Sequence, residues 1–290
     1  MNDWIVEQPQ NVNALIKSLA KPAGKIIAGG TDVLPGLRRA DVNQPVTLVD
    51  ISRLKDLRFI REGDGRLEIG GLATHADVIK SELIQKHALG LVTACSMVGA
   101  PQTRARGTLG GNLVNASPAA DTAPPLLCLD SSVNLVSGSG ERVVPLTEFF
   151  RGPGKTAMNP DEFLYSVQFV IPTGWWGAGY LKLGRRNGMA IAVASAGVFM
   201  ALDSSGMIET IRVAFGSVSP VPVRGQRIES VLRGNPPSSE LFIRAAAEID
   251  GDISPISDVR ATAEYRKSSA RVLLVRALEA AWKQAESRMA

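Results

Sequence analysis

The chain has 290 residues, 45% hydrophobic and 21% charged, with a net charge of +4 and a pI of about 9.2. That length allows two or three domains with a full core, and the interspersed charges describe a mixed solvated surface, not a nucleic-acid partner. Two cysteines (Cys95, Cys128) and two histidines (His75, His87) exclude a zinc site or an iron–sulfur cluster on this chain, since each needs about four ligands.

Low cysteine use fits a reducing compartment, and Met1-Asn2-Asp3-Trp4 lacks the basic and apolar regions of a secretory signal. The longest apolar run, Met189 to Leu202, falls short of the ~18 residues of a membrane span and contains Ser195 and Gly197. It reads as a buried strand, and the protein as cytoplasmic with no membrane span.

In chain order, Val12, Leu15, Ile16 and Leu19 recur at helical spacing behind Asn11 as cap, and Pro22 and Gly24 stop that helix. A buried strand at Lys25–Ala28 runs into Gly29-Gly30. A short helix through Leu34 and Leu37 and a strand at Val46–Val49 complete a β-α-β unit ending near Leu57. Phe59–Arg61 and Arg66–Ile69 flank Asp64-Gly65, a hairpin dipeptide. Thr74 caps a helix to Leu83, and a second spans Leu89 to Val98. Gly99 to Pro125 is rich in Gly, Pro, Asn and Ala and reads as a long functional loop. Pro124 and Pro125 open a helix through Leu126, Leu127 and Leu129.

A second hairpin, Val133–Val136 with Arg142–Val144, turns at Gly138-Ser139-Gly140, and a strand from Leu164 to Ile171 closes this region. Pro172-Thr173-Gly174 reads as a linker, with Trp175-Trp176 as packing at the junction. Three strands follow, at Gly179–Leu183, Ala192–Leu202 and Ile208–Phe215, then helices at Ile228–Leu232, Leu241–Ile249 and from Thr262 to Ala285. The fold class is therefore α+β, and the division is 1–57, 58–173 and 174–290.

The chemistry gathers at two glycine pairs, Lys25-Ile26-Ile27-Ala28-Gly29-Gly30-Thr31-Asp32-Val33 and Thr108-Leu109-Gly110-Gly111-Asn112. A Gly-Gly turn presents backbone N–H groups to an anion with no side chain in the way, and two such turns suggest a clamp around a diphosphate. Neither fits G-x-G-x-x-G, so a nicotinamide-type fingerprint is absent. Arg104 and Arg106 either neutralise that diphosphate or are surface charges. Asp121 either caps the Pro124 helix or binds a ligand. His75 reads as a surface or packing residue. Gly154-Lys155-Thr156 lacks the preceding glycine of a phosphate-binding loop, because position 149 is Phe149.

These motifs together resemble the FAD-binding medium subunit of the molybdenum hydroxylases, the family of the carbon monoxide dehydrogenase medium subunit and the xanthine dehydrogenase FAD domain. The resemblance rests on Ala28–Asp32, Ile69–Thr74, Thr108–Asn112, Asn115–Asp121 and Asp258–Arg266, in order along nearly the whole chain. It implies a two-part FAD-binding domain of the PCMH/VAO-like type and a C-terminal domain with a three-stranded antiparallel sheet and helices. It also implies that residues 25–33 and 108–112 wrap the FAD diphosphate, with Thr74, Arg106, Ser117 and Asp121 close by. Leu164, Tyr165, Met189 and Ile191 then lie near the flavin. Carbon monoxide dehydrogenase-like members have tyrosine at the position of Met189, and xanthine dehydrogenase-like members have lysine at that of Ile191.

The expected partners are a large molybdopterin-binding subunit and a small subunit with two [2Fe–2S] clusters, as a dimer of heterotrimers. Electrons would pass from those clusters through FAD to an external acceptor. Two other readings remain open at this stage: a self-contained flavin oxidase or reductase, and a non-catalytic scaffold subunit.

Overall fold

The computed structural model describes residues 4–21, 24–39 and 46–289. Met1 to Asp3 and Pro22, the expected stop of the first helix, lie outside the described residues. The first unit is β1 (Trp4–Glu7), α1 (Val12–Leu19), β2 (Gly24–Ile27), α2 (Val33–Arg39) and β3 (Val46–Asp50). Its three strands are parallel in the order β1-β3-β2. Asn11 caps α1 by accepting the Ala14 N–H at 2.9 Å. Leu15 and Leu19 on its inner face pack with Val49, Leu54 and Leu57. Strand β1 was not expected. Trp4, Ile5 and Val6 are all exposed, so no alternation marks it in the sequence.

The second unit holds a five-stranded antiparallel sheet in the order β4-β5-β10-β6-β7. Its elements are β4 (Ile60–Gly63), β5 (Arg66–Gly70), α3 (His75–Lys80), α4 (Glu82–His87), α5 (Leu89–Ser96), α6 (Pro101–Arg106), α7 (Leu109–Val114), α8 (Ala123–Cys128), β6 (Ser132–Ser137), β7 (Gly140–Pro145), α9 (Leu146–Phe149), β8 (Phe150–Gly152), β9 (Lys155–Thr156) and β10 (Phe163–Val170). The helix expected from Thr74 to Leu83 is two helices. Ser81 is extended, its N–H returns to Asp77 and Val78, and its hydroxyl starts α4. The expected long loop at 99–125 instead contains α6 and α7 and leads into α8. Gly and Pro in it mark caps and close approaches, so composition alone misreads it as irregular. Gly154-Lys155-Thr156 lies in the small β8–β9 hairpin, with no helix behind it.

The third unit is β11 (Trp175–Gly184), β12 (Ala192–Leu202), β13 (Ile208–Gly216), β14 (Val223–Arg224), α10 (Gln226–Leu232), α11 (Ser239–Ala247) and α12 (Ala263–Ser287). The antiparallel sheet has four strands, not the expected three, because two-residue β14 adds to the edge of β13. Trp175-Trp176 belongs to β11 itself, and Trp176 is buried in a stack on Phe199 at 5.8 Å.

Both faces of this sheet are covered, which is why β12 is buried almost throughout. On one face, α12 lies on β11 through Ala277 and Ala281. Gly177 and Gly179 leave room for it, since a Cβ at either would overlap the Ala281 or Ala277 carbonyl. On the other face, α8 meets β12 at Gly197, where a Cβ would stand 3.2 Å from Pro124. Trp176, Ala178, Phe199 and Ala214 accordingly share one core with Leu126, Leu127 and Leu91 of the preceding unit. The α12 face fixes a consequence. Gly177→Ala should cost about 1–3 kcal/mol, because backbone of a long helix must move, and denaturant titration should show a lower midpoint at unchanged slope.

Candidate functional site

The first glycine turn leaves β2 at Ile27 and enters α2. Gly30 has φ +74°, a region that favours glycine. The N–H groups of Gly29, Gly30, Thr31, Asp32 and Val33 donate to no other described residue, while the Gly30 and Asp32 carbonyls accept from Leu34 and Gly36. A continuous run of open amides at a helix start suits an anion. Ile26, Ile27 and Ala28 lead into it half-buried, and the Lys25 side chain is exposed.

From here backbone contacts run unbroken to the second turn. A Cβ on Gly29 would overlap the Arg106 carbonyl, so the first turn lies flat against the end of α6. Thr74 and Thr108 form a β-bridge. His75 N–H donates to the Gly107 carbonyl at 3.0 Å and Leu109 N–H to the Ala73 carbonyl at 2.8 Å. Gly110 N–H donates to the Gly71 carbonyl at 3.1 Å, and Gly71 N–H to that of Tyr165 at 2.7 Å. Tyr165 sits at the bulge of β10, beside Leu164.

The second turn differs from the first. The amides of Leu109 and Gly110 are used as just described, Gly111 donates to the Thr108 hydroxyl at 3.0 Å, and Asn112 to the Thr108 carbonyl. Its glycines permit close approach; a Cβ on Gly110 would stand 2.6 Å from the Gly71 carbonyl. Of the two arginines, Arg104 turns back to the Val98 and Gly99 carbonyls at 3.0 and 3.2 Å, and Arg106 is exposed.

Asp121 is not a helix cap; that position is Thr122, whose hydroxyl donates to Asn112 at 2.6 Å. The Asp121 carboxylate accepts from Lys182 Nζ at 2.6 Å and from the Tyr180 hydroxyl at 3.0 Å. Lys182 also donates to the Met97 carbonyl at 3.1 Å. Both side chains of this ion pair are below 10% exposed, at 7% for Lys182 and 9% for Asp121. Burial raises the Asp121 carboxyl above the usual range, and the Lys182 ammonium opposes it. Burial likewise drives the Tyr180 hydroxyl and Cys95 thiol well up. Ser117 lies in the same loop, where its hydroxyl accepts the Ala119 N–H, and Pro118 accepts from Ser217 of the third unit. Sequence reasoning missed Lys182 and Tyr180. The available signal was a lysine inside an otherwise apolar strand, which needs a buried partner.

Met189 and Ile191 are exposed in the loop joining β11 to β12. The structure brings residues 29–33, 74, 106–112 and 164–165 into one contiguous band, and Thr122, next to Asp121, joins it through Asn112. Comparison with known proteins then decides the family. A family model described as the FAD binding domain in molybdopterin dehydrogenase matches residues 2–173. The chain belongs to the FAD-binding medium subunits of the molybdenum hydroxylases. A second family model, the CO dehydrogenase flavoprotein C-terminal domain, matches residues 179–281.

The xanthine dehydrogenase FAD-binding subunit of Escherichia coli O157:H7 is 34% identical over 84% of each chain. The carbon monoxide dehydrogenase medium chain of Hydrogenophaga pseudoflava is 32% identical over 93% of this chain and 92% of that one. Among solved structures, carbon monoxide dehydrogenase from the same organism superposes with a TM-score of 0.92 at 30% identity, covering 97% and 98% of the two chains. Quinoline 2-oxidoreductase from Pseudomonas putida 86 gives 0.89 at 27% identity, covering 100% and 99%. This flavin subunit is thus part of an oxidoreductase family, and no helix among its described residues is long and apolar enough to cross a membrane.

In the flavin subunit the band rests on His75, which is buried at the start of α3 with Nδ1 lacking a partner among the described residues. Burial first, and Arg104 second, pull its pKa from 6.5 down to about 4. The folded state therefore refuses a proton that the unfolded chain accepts, and stability falls as pH drops from about 6.5 to about 4, by up to about 3 kcal/mol. Denaturant midpoints measured against pH should show this limb, and His75→Gln should flatten it. The ion pair yields a second expectation. Asp121→Asn strands a buried ammonium and should cost about 3–5 kcal/mol, whereas adding Lys182→Met should recover most of it; equilibrium unfolding of both variants at neutral pH checks this.

Proposed function

We propose that this chain binds FAD and serves as the electron outlet of a heterotrimeric molybdenum hydroxylase. The open amide run at Gly29–Val33 carries the reading. It offers the diphosphate donors with no protein acceptor to displace, and Gly29 and Gly110 sit where a side chain would block the approach of two backbone segments. Residues 25–33 would hold the diphosphate. Thr108–Asn112, with Thr74, would set the shape of the cradle through backbone packing more than through free donors. Arg106, exposed at the edge, would face the anion. Ser117 and Asp121, with Leu164 and Tyr165, would line the flavin side, and Met189 and Ile191 would flank its entrance. We infer the same three-part division, 1–57, 58–173 and 174–290; the second boundary is supported by family models that change over between residues 173 and 179.

When bound, FAD would supply the redox chemistry linking [2Fe–2S] clusters on a small partner to an external acceptor. The chain's own residues bind and orient it. Among the described residues no cluster of His, Cys, Asp or Glu could hold a metal ion. The large molybdopterin-binding and small [2Fe–2S] subunits are expected as partners, in a dimer of heterotrimers in the cytoplasm. The names of relatives such as the glyceraldehyde dehydrogenase medium chain of Sulfolobus acidocaldarius support the multisubunit part.

Purified chain should show flavin absorbance near one FAD per polypeptide, and Gly29→Val should abolish it, because the added side chain meets the Arg106 carbonyl. A colourless wild-type protein that takes up no FAD under native conditions overturns the reading.

A further inference from the structure

A helix that covers a sheet turns an apolar stripe inward and a polar face outward. α12 obeys the first half of that rule, with Leu273, Leu274, Ala277 and Leu278 in the core of the third unit. It departs from the second. On its outer side a groove of about 590 Å³ runs between α11 and α12, lined by Ile243, Ala246 and Ala247 of the one and Val272 and Val275 of the other. Ile243 is 63% exposed and Val272 50%. Scattered single apolar side chains need no explanation, but these share one hollow.

The walls are fixed before anything enters. Phe242 of α11 meets Trp282 of α12 edge to face at 5.9 Å. Asp250, just beyond α11, accepts from Lys267 at 2.6 Å and from Arg271, both on α12. Valine and alanine have little rotamer freedom to lose, and isoleucine has less than the long polar side chains, so covering this surface costs little ordering entropy.

Two features match the groove to itself. Ile243 projects from the α11 wall, while the small side chains of Ala246 and Ala247 leave the hollow beside it unfilled. One face thus carries both a knob and a hole, and a two-fold rotation puts each knob over the other copy's hole. Charge repeats the pattern. Arg276 and Glu279 line the same groove, about one turn apart on α12. Among the described residues neither makes an ion pair, whereas nearby Arg271 is held by Asp250. A partner surface of one sign attracts one of them and repels the other. A second copy related by a two-fold axis brings a glutamate to each arginine. The groove also faces away from the side of the sheet that shares a core with α8, so both copies keep the Asp121 side uncovered.

We propose that the groove between α11 and α12 is the contact between two copies of this chain, related by a two-fold axis. Ile243 of each copy seats in the hollow of the other, and Arg276 of each faces Glu279 of the other. The interface goes beyond the flavin reading and stands whether or not the chain carries FAD.

Sedimentation velocity and native mass spectrometry of the purified full chain, over a range of concentrations, read the monomer–dimer equilibrium. Arg276→Glu and Glu279→Arg each set like charges face to face at both ends of the contact, and each should weaken the dimer at least about tenfold. Mixing the two variants restores opposite charges at both ends, so the mixture should dimerise like wild type. A variant that had merely misfolded gains nothing from mixing, which keeps a folding defect distinct from a lost contact. Ile243→Asp, which no charge exchange repairs, should stay monomeric in every mixture. A wild-type chain that is monomeric at every concentration overturns the proposal, as do charge variants that associate like wild type or a mixture that stays monomeric. Copurification of the same variants with co-expressed large and small subunits tests the other occupant. Loss of a partner subunit with self-association intact overturns the proposal too.

Discussion

Asp121 and Lys182 meet at 2.6 Å where neither side chain is more than a tenth exposed, and they come from different units: one from the loop before α8, the other from near the end of β11. Removing two charges from water costs roughly what their attraction returns, so such a pair adds little net stability. What it does is fix position. A lysine in an apolar strand has few places to put its charge, and here the Met97 carbonyl and the Asp121 carboxylate define that place. Tyr180, two residues away on the same face of β11, adds a second bond to the same carboxylate. The Asp121 loop, the end of α5 and the C-terminal sheet are thereby held in a single register.

The two glycine pairs look alike in sequence and behave differently in the fold. At Gly29-Gly30 the amides stay open and the glycine lets the turn lie against the Arg106 carbonyl. At Gly110-Gly111 the amides are all engaged, and the glycine lets the start of α7 lie against Gly71. Sequence shows that a side chain is missing. It does not show whether the space so made receives a ligand or another strand of the same chain, because that depends on residues remote in sequence.

Elements governed by local rules were legible. Asn11 capping α1, the Asp64-Gly65 hairpin and the apolar run of β12 all appear as read, since each is decided within a few residues. Elements decided by distant partners were not. Ser81 breaks a helical pattern because its hydroxyl serves the next helix better than the last. The stretch from 99 to 125 folds into short helices in which Gly110 and Pro124 answer to Gly71 and Gly197, both outside the stretch. β1 exposes Trp4, Ile5 and Val6 alike, so it lacks the alternation by which a strand is recognised. Lys182 was passed over because a charge within a strand is informative only once burial on both faces is known.

That double coverage of β12 also bears on how the chain acquires its structure. Helices α5 and α8 leave the ribosome well before the strands they cover, and until β11–β13 arrive they present Leu91, Leu126 and Leu127 to solvent beside an unpaired aspartate. The sheet in turn cannot bury its second face until α12, later still, has been made. Native contacts in this region span long stretches of sequence, which slows folding and prolongs exposure of sticky intermediates. The architecture that gives the mature protein one continuous interior thus makes its nascent form dependent on completing synthesis quickly, or on being shielded while it waits.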